Sequence, residues 1–125
     1  VFRCVINPAL FVTRLDFAVR DWARRSATVR RAMEASENQR LAALQQMFDR
    51  FGYPELEAVA RARILYYMQI GYDDAQLGEP MAVRNALMPA YLVGFTGQHP
   101  KPEEVTALRA YAVALESGEL SVQPA

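Results

Sequence analysis

From Ala27 to Phe51 the chain reads ATVRRAMEASENQRLAALQQMFDRF, and this stretch decides the fold class. Val29, Met33, Leu41, Leu44, Met47, Phe48 and Phe51 fall at helical rather than alternating spacing, so they share one face of a long helix. Ser36, Glu37 and Asn38 make the middle of that helix polar. Gly52 is placed to stop it in a left-handed conformation that other residues adopt only at a cost. Pro54 then suits the first turn of a second helix, where Glu55 and Glu57 put negative charge against the exposed amide dipoles.

The second helix carries Leu56, Val59, Ala60, Ile64, Leu65, Tyr66, Tyr67, Met68 and Ile70, and its second half is apolar nearly all round. Such a helix needs cover on every side, from its own domain or from a second copy of the chain. Tyr72 to Glu79 reads as a loop. Met81, Val83, Leu87, Met88, Tyr91, Leu92 and Phe95 then predict a helix bent or interrupted at Pro89 and ended by Gly97. A Pro-rich connector, Gln98 to Pro102, leads to a last amphipathic helix over Glu103 to Ser117. On the N-terminal side, Pro8 suits the start of a helix through Leu10, Leu15, Ala18, Val19 and Trp22, whose spacing predicts one buried stripe, with Ser26 as a break or cap. The expectation is an all-α antiparallel bundle of about five helices in a single domain spanning residues 1–125, with 118–125 as a flexible tail.

Composition narrows the function. The 14 basic and 14 acidic residues cancel, so the whole molecule lacks the positive footprint that holds phosphates, and DNA binding by these residues alone is not expected. Arg3, Arg14, Arg20, Arg24, Arg25, Arg30 and Arg31 crowd the N-terminal stretch and read as a solvated face, with a functional patch as the alternative. Cys4 is the only cysteine, which fits a reducing cytoplasm. No apolar run nears the ~20 residues that span a bilayer, and no signal-peptide pattern is present, so the expected setting is cytoplasmic with no membrane partner.

His99 lies in the Pro-rich connector without a ligand partner, and the pairs Asp73/Asp74 and Glu103/Glu104 are adjacent, so their side chains point apart on any regular element. No phosphate loop, nucleophile elbow or dinucleotide fingerprint appears. These features argue against an enzyme, a metal site or a cofactor. Trp22, Met33, Met47, Phe48, Phe51, Tyr66, Tyr67, Met68, Met88 and Tyr91 offer instead the makings of an adaptable apolar cavity, or simply of a core. Arg61 and Arg63, just before the aromatic run, are placed to take a ligand carboxylate or to pair with a nearby Glu.

The stretch Leu15-Asp16-Phe17-Ala18-Val19-Arg20-Asp21-Trp22-Ala23-Arg24 resembles the "hydrophobic, x, x, Ala, hydrophobic, Arg, x, Trp, Ala" segment in the effector domain of many TetR/AcrR-family regulators. Val29, Arg40-Leu41, Leu44, Met47-Phe48 and Gly52 are similar to that family's long central helix and its terminating glycine. Glu57-Ala58, Arg61-Ala62 and Ile70-Gly71-Tyr72 resemble the helix that follows, and Pro89-Ala90-Tyr91-Leu92 with Thr96-Gly97 resemble the end of the next. The resemblance covers roughly residues 15 to 97, and it departs from the family where Glu37 stands in place of the Asp that many relatives carry. The family's helix-turn-helix has no counterpart in these residues, and residues 1–12 would correspond to the end of the preceding helix.

What the resemblance implies is the regulatory domain of a TetR-type repressor: a homodimer that binds a small apolar or amphipathic effector and reaches DNA only through a separate N-terminal domain. It also implies that the last two long helices form a four-helix bundle with their mates. On that basis the effector is expected to contact some of Trp22, Met47, Phe48, Phe51, Tyr66 and Tyr67. The dimer interface is expected at Ile64, Leu65, Met68, Leu87, Tyr91, Leu92 and Phe95. A stand-alone helical module that docks another polypeptide is the alternative, and a small helical enzyme is the least favoured reading.

Overall fold

A computed structural model describes residues 12–119, and every regular element among them is a helix. There are five: α1 (Thr13–Ala23), α2 (Ala27–Arg50), α3 (Glu55–Ala75), α4 (Met81–Thr96) and α5 (Pro102–Glu116). The expected helix start at Pro8, Leu10 in its stripe, Cys4 and the last six residues of the tail lie outside the described residues.

Local chemistry accounts for the boundaries. Ser26 sits in extended backbone and its hydroxyl accepts from the Val29 N–H at 3.4 Å, capping α2. At the other end Gly52 turns the chain at φ +81°, and the Gly52 and Tyr53 amides donate to the carbonyls of Asp49 and Phe48. The Pro54 carbonyl then accepts from the Ala58 N–H at 2.8 Å, so α3 begins directly after it. α5 opens with Pro102, and the Glu104 carboxylate accepts from the Lys101 N–H at 3.0 Å.

One boundary differs from the sequence expectation. α3 does not stop at Tyr72 but runs to Ala75, where the Gln69 side chain donates to Asp73 one turn later at 2.9 Å and supports the extra turn. The loop shrinks accordingly, with Gln76 and Gly78 at positive φ. α4 runs as one helix through Pro89, not interrupted there, and ends at Gly97 with φ +69° as expected.

The chain divides into two compact units, Val12–Ala75 and the residues from Gln76 onward. In the first, α2 is the central element and both α1 and α3 pack on it. Its core is small and specific: Phe48 is buried against Ala58 and Ala62, with Leu44, Met47 and Tyr53 packed around them. Two alanines one turn apart let the α3 backbone approach the Phe48 ring closely, and Tyr53 meets that ring edge-on at 5.2 Å. In the second unit α4 packs on α5, and the Tyr91 and Phe95 rings stack at 6.2 Å.

One expectation is overturned. Most of the apolar stripe of α1 is not buried: Leu15 and Trp22 are 63% and 60% exposed and Ala18 between them is exposed too, while Val19 is half-buried. The helix instead turns Asp16 and Arg20 inward, both half-buried, with Ala23 buried on the same side and Phe17 half-buried. Periodicity locates a face but does not say which face packs, and here ion pairing settles the rotation. Among the described residues no helix is long and apolar enough to cross a membrane.

Candidate functional site

The most tightly organised polar feature of the first unit is built on Arg20. From α1 its guanidinium reaches three groups on three helices: Nε donates to Asp16 Oδ2 at 2.6 Å, Nη1 to Glu37 Oε1 at 2.6 Å, and Nη2 to the Tyr66 hydroxyl at 3.1 Å. The Tyr66 hydroxyl in turn donates to Glu37 Oε1 at 3.3 Å, and Arg40 on α2 donates to the second Asp16 oxygen at 3.2 Å. Asp16 sits one turn before Arg20, the spacing at which helical side chains meet. Glu37 is supplied by the polar middle of α2, and Tyr66 by the inward side of α3, where it is buried.

The side chains of Arg20, Asp16 and Glu37 are only 17–18% exposed, so the charge-assisted bonds act largely out of water. Burial by itself lowers the pKa of the Arg20 guanidinium, but its hydrogen bonds to Asp16, Glu37 and Tyr66 outweigh that and hold it above the ordinary value. Arg20 is thus permanently charged and both carboxylates accept from fixed donors. The cluster ties α1, α2 and α3 to one another.

The aromatic residues expected to bind an effector are not gathered into one group. Phe48 and Met47 belong to the core with Ala58 and Ala62. Tyr66 is committed to Arg20 and Glu37, while its ring meets that of Tyr67 edge-on at 5.4 Å. Tyr67 is 46% exposed, with Arg63 lying over its ring. Phe51 at the end of α2 is 76% exposed, and Trp22 stands on the open side of α1. Arg61 pairs with Glu57 at 2.7 Å and lies over the Tyr53 ring, the structural role anticipated for it.

The residues expected at a dimer interface fall into two sets. On α3, Ile64 is exposed, Met68 half-buried and Leu65 buried; on α4, Leu87 and Tyr91 are exposed, Leu92 half-buried and Phe95 buried. Ile64 and Tyr67, with Leu56 and Ala60 before them, leave an uncovered apolar strip along α3.

Sequence reasoning did not assemble the Arg20 cluster, although two signals pointed to it. Asp16 and Arg20 are four residues apart on a helix, and Ser36 to Asn38 break the apolar face of α2 midway, where an inward polar residue requires a partner. No family model, no curated protein and no solved structure matches the chain.

Proposed function

We propose that the chain is the regulatory module of a cytoplasmic TetR-type transcriptional repressor, which homodimerises and binds a small apolar or amphipathic effector. DNA reading in this proposal belongs to a helix-turn-helix head outside these residues. The observation that carries the reading is the convergence of the blocks on which the resemblance rests. Asp16 of the Arg-x-Trp-Ala segment accepts from Arg40 of the central helix, and Phe48 of that helix packs on Ala58 and Ala62 of the helix that follows. Segments that resemble one family at separate places are expected to meet in this way if they form a common helical unit. The uncovered strip on α3 supports self-association.

The test is a thermal-shift screen of small hydrophobic compounds, with sedimentation velocity on the same protein. A dimer at micromolar concentration is expected, and an effector at 100 times its Kd should add about 2.7 kcal/mol to stability. A monomer that no compound stabilises would refute the proposal.

A second reading has its own observation: the open Leu15, Ala18 and Trp22 face of α1 suits a helical module that docks another polypeptide. A monomer recovered with one stoichiometric partner would favour it.

A further inference from the structure

We propose that the α1–α2 corner is a sequence-independent contact surface for the phosphate backbone of duplex DNA. The proposal rests on the regulator reading, in which this module works beside DNA, and it assigns the arginines of the corner a role. Residues 14–31 hold six arginines and two aspartates, an excess of four positive charges in a chain whose net charge is zero. The fold consumes both aspartates: Asp16 is held by Arg20 and Arg40, and Asp21 by Arg25. Arg24, Arg30 and Arg31 are all exposed, and among the described residues no carboxylate pairs with any of them. Glu34, the nearest acid along α2, makes no ion pair with Arg30 or Arg31.

The three cations flank the turn between α1 and α2. Arg30 folds back from α2 so that its Nε donates to the Ala23 carbonyl at 3.4 Å, at the residue before Arg24, whose backbone N–H caps α1. Arg31 follows it on α2 and donates to the Thr28 hydroxyl at 3.5 Å, leaving the Thr28 O–H free to donate to a phosphate oxygen. Between the arginines stand Ser26, Ala27, Thr28 and Val29, with no aromatic or long apolar side chain to enter a bilayer. Trp22 does not serve that purpose, because it stands two positions before Arg24, which places the two on different sides of α1. Unpaired guanidinium groups without an apolar wedge fit a phosphate backbone better than a lipid surface.

The test is fluorescence anisotropy of a labelled 20-base-pair duplex of arbitrary sequence, titrated with the whole chain between 50 and 200 mM salt. Three phosphate contacts give a slope of log K against log salt of about −2.7, or roughly 40-fold weaker binding across that range. The double variant Arg24→Gln/Arg31→Gln should lose about 1.8 of that slope, while Arg109→Gln on α5, exposed and remote in sequence, should lose none. Far-UV circular dichroism checks that the variants stay folded. No binding at 50 mM salt, or an unchanged slope in the double variant, overturns the proposal. So does binding to anionic vesicles without binding to the duplex. A monomer that keeps the arginine-dependent slope would refute the dimeric regulator and leave this contact standing.

Discussion

Replacing Arg20 with Met keeps an apolar stem of similar length and removes the charge, so it isolates what the guanidinium does for the fold. Three hydrogen bonds disappear, two of them at 2.6 Å to carboxylates. Breaking a fully buried pair costs about 3–5 kcal/mol, and an exposed pair about 0–1. Asp16 and Glu37 lie between those limits at 17% and 18% exposure, but each keeps one donor, Arg40 at 3.2 Å and the Tyr66 hydroxyl at 3.3 Å. The expected loss is therefore about 2–3 kcal/mol. With a urea m-value of about 1.5 kcal/mol/M, the unfolding midpoint falls by about 1.3–2 M. Glu37→Gln alone should cost less, and the double variant should show a coupling of at least about 1 kcal/mol, because both changes act on one contact. Because the folded-state pKa of Arg20 is raised, its stabilisation is complete below the unfolded-state value and is lost only as pH climbs through the folded one, far into the alkaline range. The gap between wild type and Arg20→Met should thus stay flat from about pH 6 to 9. A cost below about 0.5 kcal/mol, or strictly additive single effects, would refute the view that this cluster holds the three helices together.

Phe48→Ala should remove about 3–5 kcal/mol by opening a cavity against Ala58 and Ala62, whereas Phe51→Ala, three residues on, should change stability by less than about 0.5 kcal/mol; paired urea curves decide. Gly52→Ala should cost about 1 kcal/mol, all of it backbone strain at φ +81°, since nothing lies within 4 Å of the added methyl; a cost above about 2 kcal/mol in the same assay would mean a clash the geometry excludes. Ile64→Glu should leave helicity intact and weaken the proposed self-association in sedimentation velocity, while Leu65→Glu, buried, should lower the thermal midpoint first.

Helix existence was read well from the residues and helix rotation was not. Val29 to Phe51, Gly52 and Pro54 define α2 and the start of α3 through local rules, namely spacing, a left-handed stop and a proline in the first turn. The end of α3 was missed because Tyr72 to Ala75 look polar in isolation, and a Gln69–Asp73 bond favouring one more turn carries little weight in a residue pattern. α1 was rotated the wrong way for a deeper reason. Leu15, Ala18 and Trp22 form the better apolar stripe, but the position of Asp16 and Arg20 depends on Glu37 and Tyr66, which lie far along the chain. The same non-locality hid the cluster itself. For the aromatic residues, type and spacing identified Phe48 and Tyr66 as inward-facing, yet could not separate them from Phe51 and Tyr67, whose exposure is decided by where α2 ends and how α3 is turned.

Trp22 is the only tryptophan, and it stands 60% exposed on the open side of α1. The protein therefore carries its own optical reporter at the one apolar face whose packing was unexpected. Its emission should resemble that of an indole in water and be quenched efficiently by acrylamide. Anything that settles on Leu15 and Ala18, whether another copy or a foreign helix, must shift that emission to the blue and shield it from the quencher. Coverage of this face can thus be followed in solution without a label, and separately from events at α3, which holds no tryptophan.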